Sequence, residues 1–255
     1  MAQLHFYEDP IPLDKNKHAK LKLDRDFNFS FAQNVNAVPV SGIEFFKCSR
    51  HFPVVFVKNA DKGYIPIALL SLRKGTHDYG DKWEDTYVPN YIRRYPFVLS
   101  EDNLVVIDSK APQFGEEKGE ALFAEGEPSE FLKGVIGYLE QMQVGYKTTD
   151  DYVKVLAEKD MLQPFAPKVQ LGSANINLGE MFIINEKKLV ELNETEASDW
   201  LKRGWIAWSY AQLHSLESLQ QLVKLLVKNG IPPEMQQTAS NEDPAESSEA
   251  TESQS

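Results

Sequence analysis

The hydrophobic pattern of this chain changes period at Gly126, and that change bears most on the fold class. Before Gly126 the apolar residues come in short runs: Ile43-Glu-Phe-Phe46, Pro53-Val-Val-Phe-Val57 and Ile65-Pro-Ile-Ala-Leu-Leu-Ser-Leu72. Their length and their β-branched and aromatic content read as strands. Tyr95 to Leu99 and Leu104-Val-Val-Ile107 flank Ser100-Glu-Asp-Asn103, a stretch of turn formers, and read as a hairpin. From Gly126-Glu-Pro-Ser129 onward Phe131, Leu132, Val135, Ile136, Leu139 and Met142 recur at helical spacing, with Pro128 where a first turn tolerates it.

Gly134 and Gly137 inside that helix each cost about 1 kcal/mol relative to alanine, so close packing against a neighbour is expected there. Thr148-Thr-Asp-Asp151 offers caps for a second helix running through Leu162. Asn175 to Asn185 reads as a second hairpin broken at Gly179-Glu180. From Thr195 helices return. Trp200 and Leu201 precede Gly204, a C-cap candidate, and Leu213, Leu216, Leu219, Leu222, Val223 and Leu226 form one stripe ending at Gly230. The expectation is an α+β fold, mainly antiparallel β-sheet covered by helices from residues 126–162 and 195–230. Residues 1–230 are expected to be a single domain. Residues 231–255, rich in Glu, Ser, Gln and Pro, are expected to be a disordered acidic tail.

Composition narrows the function classes. Net charge is −11, but six acids and no lysine or arginine follow Gly230, which leaves −5 for the body. Phosphate backbones are bound by basic faces, so nucleic acid is not an expected partner. The longest apolar run is far short of the ~20 residues that cross a bilayer, so no membrane insertion is expected. The first twenty residues lack an apolar stretch after a basic start, so no cleavable signal peptide is read. The chain is expected in the cytoplasm, or at the cell surface by a non-Sec route.

A single cysteine, Cys48, excludes an intramolecular disulfide and a multi-cysteine zinc site. Read in a strand, Cys48 and His51 project apart, which favours an inert buried thiol. The five histidines form no HExxH or facial-triad pattern, so neither a metal site nor a cofactor is expected. His214 reads as ordering a helix junction. Asp78, Asp81, Glu84 and Asp85 crowd one loop without the EF-hand spacing and read as solvated acids. GxSxG, GxGxxG and GxxxxGK[ST] are all absent, and no catalytic residue is assigned.

The densest cluster of binding chemistry is Trp83 to Phe97. Arg93 and Arg94 are able to clamp a carboxylate or phosphate, while Trp83, Tyr87, Tyr91 and Tyr95 offer flat faces to a sugar or aromatic ligand. If Tyr91 to Phe97 is extended, the two arginines point to opposite sides, one facing a pocket and the other pairing with an acid such as Glu84 or Asp85. Aromatic-rich extended segments usually pack cores, so the cluster reads as chiefly architectural. Trp200, Trp205 and Trp208 read as core packing.

The run Arg93-Arg94-Tyr95-Pro96-Phe97 resembles the signature of the bacterial SapC family. Pro53 to Val57, Trp83 with Tyr87 and Pro89, Leu122 to Ser129, and Gly204, Ala211, His214-Ser215-Leu216 and Leu222 follow in that family's order. The resemblance spans roughly residues 1 to 226. It implies association with the paracrystalline surface layer of some Gram-negative bacteria, and it supplies no reaction. The reading is a non-enzymatic surface-layer-associated or binding protein, self-associating or binding cell-surface glycan with calcium dependence. The alternative is a cytoplasmic enzyme or enzyme accessory holding a small anionic or aromatic ligand at Trp83–Phe97.

Overall fold

The computed structural model describes residues 5–26, 28–60, 63–77, 79–171 and 174–230. The expected disordered tail, and Asp78 of the acidic loop, lie outside the described residues. The fold is α+β. Its helices are α1 (Phe45–Cys48), α2 (Asn90–Arg93), α3 (Glu130–Glu158), α4 (Glu186–Val190), α5 (Glu194–Lys202), α6 (Trp205–Ser215) and α7 (Leu219–Lys228).

The main sheet is antiparallel, with five strands in the order Leu162–Phe165, Met181–Ile184, Val54–Lys58, Tyr64–Leu69, Ala37–Pro39. Alternation along the strands gives it two apolar faces. Val54, Phe56, Phe182 and Ile184 pack with Trp205 and Ala211 of α6 and with Tyr152 and Leu156 of α3. Val55, Met181 and Ile183 pack on the opposite side against Leu222 and Leu226 of α7. Each large apolar side chain taken fully out of water there contributes about 1.5–3 kcal/mol. A second antiparallel sheet, Pro10–Pro12 with Val105–Asp108 and Phe97–Leu99, packs Phe97 and Ile107 with Leu132 and Leu139 near the start of α3. The hairpin across Ser100–Asn103 forms, with Phe97 opposite Ile107 and Leu99 opposite Val105.

Several local expectations are corrected. Ile43 to Phe46 is helical: a 3₁₀ turn, Gly42–Glu44, runs into α1. The Glu44 carboxylate reaches back to the Ser41 N–H at 3.2 Å and closes the turn. Phe45 then points into the core, while Ile43 and Phe46 are exposed. Residues 126–162 hold one helix, not two. Ser129 caps α3 by accepting the Leu132 N–H at 3.1 Å, and the helix continues for 29 residues, about 44 Å. Thr148 and Thr149 do not cap. Their hydroxyls donate to the carbonyls of Val144 and Gly145, one turn back within the helix, both at 2.6 Å. Leu162 belongs to a strand.

Gly134 and Gly137 face no close neighbour; the tight approach on α3 is at Gly145, against Ile43. The strands around Gly179 exist but do not pair with each other. Met181–Ile184 is buried at all four positions and pairs on both sides, with Leu162–Phe165 and Val54–Lys58, leaving Ala174–Asn177 to pair with Lys168–Leu171. The terminal leucine stripe is split by the 3₁₀ turn Leu216–Ser218, so Leu213 packs on one side of the sheet and Leu216 to Leu226 on the other.

Candidate functional site

The Trp83–Phe97 segment is not extended where its arginines lie. Pro89, with φ preset near −60°, starts the single turn of α2, and its chain leaves through a cis Tyr95–Pro96 bond into the strand at Phe97. The turn is fastened from outside the segment. The buried Glu44 accepts the Asn90 N–H at 2.7 Å and the Tyr87 hydroxyl at 2.9 Å through Oε1. Its Oε2 accepts the Ser41 N–H at 3.2 Å and the Ser41 hydroxyl at 2.9 Å.

This geometry divides the six candidate residues between inside and outside. Trp83 is buried at a left-handed φ of 53°, ringed by Phe29, Phe52, His77 and Tyr79, with centroids 4.9–6.3 Å away. Tyr91 is buried against Phe6 at 5.5 Å. Tyr95 is buried, stacked on Phe31 at 4.1 Å, and donates its hydroxyl to Oδ2 of Asp108 at 2.9 Å. Arg94 is buried with its guanidinium 4.3 Å above the Tyr91 ring. Tyr87 and Arg93 are the two that reach the surface.

Arg93 donates to Oδ1 of Asn90 and, at 3.4 Å, to the Tyr87 hydroxyl. Its Cζ lies 5.7 Å from the Tyr87 ring centroid and 5.8 Å from that of Tyr138 on α3. The Lys47 ammonium stands 5.8 Å from the Tyr87 ring. Tyr138 donates to Oδ1 of Asn90 at 3.1 Å, so Asn90 orients both partners. The expected pairing with Glu84 or Asp85 does not occur: among the described residues neither arginine makes an ion pair with them. Those two acids are held away by a loop in which Trp83 and Asp85 both take positive φ.

Burial, aided by the Glu44 charge, pushes the Tyr87 hydroxyl pKa well above its ordinary value. Burial and the bond to Asp108 do the same for Tyr95, and burial raises Tyr138 despite Arg93. These phenols stay protonated and act as donors. They are not bases or nucleophiles at neutral pH.

Glu84 and Asp85 instead line an open cleft of about 680 Å³ between the Tyr79–Thr86 loop and α7, together with His51, Lys82, Lys224 and Lys228. Burial, and then Arg50, lower the His51 pKa. Among the described residues no group of three or more His, Cys, Asp or Glu side chains is placed to hold a metal, and no helix is long and apolar enough to cross a membrane.

The SapC family model matches residues 13–222. The chain belongs to the SapC family. No curated protein and no solved structure matches it. The matched region contains Ser41, Glu44, Trp83 to Phe97 and Tyr138, while Tyr7, whose ring meets Tyr95, lies before it. Glu44, Asn90 and Tyr138 were not among the sequence-derived candidates. Ser41-x-x-Glu44 carries the spacing of a capping box, the one signal that points to Glu44.

Proposed function

We propose that this SapC-family protein is a non-enzymatic binding protein of the bacterial surface layer, and that it meets an anionic cell-surface glycan at Arg93. One observation carries the reading: Arg93 is exposed and framed by the Tyr87 and Tyr138 rings, while Trp83, Tyr91, Arg94 and Tyr95 of the same segment are buried. A guanidinium beside flat aromatic faces matches a sugar ring that carries a carboxylate. Lys47 adds a second positive charge at the same face.

The test is calorimetric titration of the purified protein with uronic-acid-bearing envelope glycan, with and without calcium. A charged hydrogen-bonded contact contributes about 1.5–3 kcal/mol, so Arg93→Ala weakens binding roughly 10-fold or more. Equal affinity of wild type and variant, or no binding by either, sinks the reading. Sedimentation with and without calcium tests self-association.

A second reading is favoured by the cleft. Its acidic loop and the Lys224 and Lys228 wall suit a small zwitterionic or anionic ligand, as an enzyme or enzyme accessory requires. Amide shifts at Thr86 and Gln221 on titration with amino acids support that reading, and unmoved signals discard it.

A further inference from the structure

Arg94 lies next to Arg93 in sequence but is 7% exposed, and its guanidinium carries an unused edge. Nε and Nη2 share one side of the group, with their N–H bonds parallel. Both atoms are buried and neither has a hydrogen-bond partner. This is the edge with which arginine grips a carboxylate or phosphate through two parallel bonds. The guanidinium keeps its charge at any physiological pH, so the buried donors cannot be silenced by losing a proton.

The acids nearby are already committed. Glu44 holds four donors, from Ser41, Tyr87 and Asn90. Asp108 holds the N–H groups of Glu8, Asp9 and Lys110 and the Tyr95 hydroxyl. The flat face of Arg94 lies on the Tyr91 ring and the Tyr7 and Tyr91 hydroxyls lie beside the guanidinium, but Nε and Nη2 make no hydrogen bond of ordinary geometry.

We infer that the Nε–Nη2 edge of Arg94 is a receptor for one small oxoanion, a carboxylate or phosphate group, held in two parallel N–H···O bonds. The surroundings suit a negative guest. Tyr7, Tyr91, Tyr138 and Tyr146 all stand close enough to feel the Arg94 charge, and burial keeps each of them protonated. They are neutral groups whose hydroxyls are engaged, those of Tyr7, Tyr138 and Tyr146 donating to the Phe97 carbonyl, to Oδ1 of Asn90 and to the Pro39 carbonyl, so the guanidinium edge itself supplies the bonds to the anion. The segment His5–Tyr7 lies over the cluster. The Phe6 and Tyr7 rings meet Tyr91 and Tyr95 at 5.5 and 5.3 Å, and the His5 N–H reaches the Tyr91 hydroxyl at only 3.4 Å. The Tyr7 hydroxyl also donates to the Phe97 carbonyl at 2.8 Å, so an anion enters only as this segment lifts and that bond opens.

This site is separate from the Arg93 face, and the two readings stand or fall independently. The test uses the full chain, ¹⁵N-labelled, titrated with sodium phosphate and with sodium acetate at constant ionic strength. The Arg94 Nε–H resonance, assigned with Arg94→Lys, shifts to saturation in wild type and in Arg93→Ala. In parallel, the anion raises the melting temperature of wild type and Arg93→Ala, and the increment disappears in Arg94→Gln. A response to phosphate alone assigns a phosphate group, and a response to acetate alone a carboxylate. No saturable shift with either anion overturns the inference, as does an unchanged thermal increment in Arg94→Gln. If Arg94→Gln does not fold, the wild-type resonance titration decides alone.

Discussion

Tyr87 donates its hydroxyl to Oε1 of the buried Glu44 at 2.9 Å, and this bond joins the turn at Ser41 to the arginine segment across 43 residues of sequence. The same carboxylate holds the Asn90 N–H and both Ser41 donors. Glu44→Ala strands those donors inside the protein, and each stranded buried donor costs about 1–3 kcal/mol. Urea unfolding is expected to show a loss of about 3 kcal/mol or more. Tyr87→Phe removes one donor of four and is expected to cost about 1 kcal/mol.

Asp108 is expected to contribute to the acid limb of the stability curve. Burial raises its pKa, but the N–H groups of Asp9 and Glu8, the Tyr95 hydroxyl and the Lys110 N–H outweigh burial and hold it below the ordinary value. A depressed folded-state pKa means that the stability it contributes is complete above the unfolded value of about 4. That stability is lost as pH falls through the folded value. Unfolding free energy measured from pH 7 down to pH 2 is expected to drop in that window, and Asp108→Asn to drop less steeply from a lower plateau. Parallel curves would refute the assignment.

Much of this was legible in the sequence where a residue's local pattern agreed with its tertiary surroundings. The strands Val54–Lys58, Tyr64–Leu69 and Met181–Ile184 were readable because their apolar runs face cores on both sides of one sheet. Ile43 to Phe46 misled because apolar content alone does not fix period, and half of that run faces solvent. Thr148 and Thr149 carry the chemistry of a cap but donate to carbonyls of their own helix, and Thr149 accepts the N–H of the distant Gly42 at 2.8 Å. Trp83 to Phe97 was recognisable as a cluster, but its partition was not. Which residues turn inward depends on Glu44 and Asp108, which come from distant turns and strands.

Cys48 is fully buried at the end of α1, and burial, helped by the Glu44 charge, pushes its thiol well above the ordinary value. The reactive species is the thiolate. Native protein at pH 8 is therefore expected to resist Ellman's reagent over hours, with one thiol released on addition of denaturant. Rapid labelling of the folded chain would show that α1 opens locally.

The glycines of α3 and of the turn before α1 separate three outcomes that look alike in sequence. A methyl group at Gly134 or Gly137 meets nothing, so alanine gains helix propensity of about 1 kcal/mol at each position without a clash. That gain raises Tm by roughly 2–4 °C per substitution in a chain of this size. A methyl at Gly145 comes 3.0 Å from Cδ1 of Ile43, the mobile end of an exposed side chain, so Gly145→Ala is expected to be near neutral. At Gly42 the methyl would lie 2.6 Å from Cδ2 of Trp208, within a packed aromatic cluster beside Phe45 and Tyr152. Overpacking of that kind costs about 1–3 kcal/mol, so Gly42→Ala lowers Tm. Thermal melts of the four variants side by side check the ranking, and a stabilised Gly42→Ala would show that Trp208 is free to move.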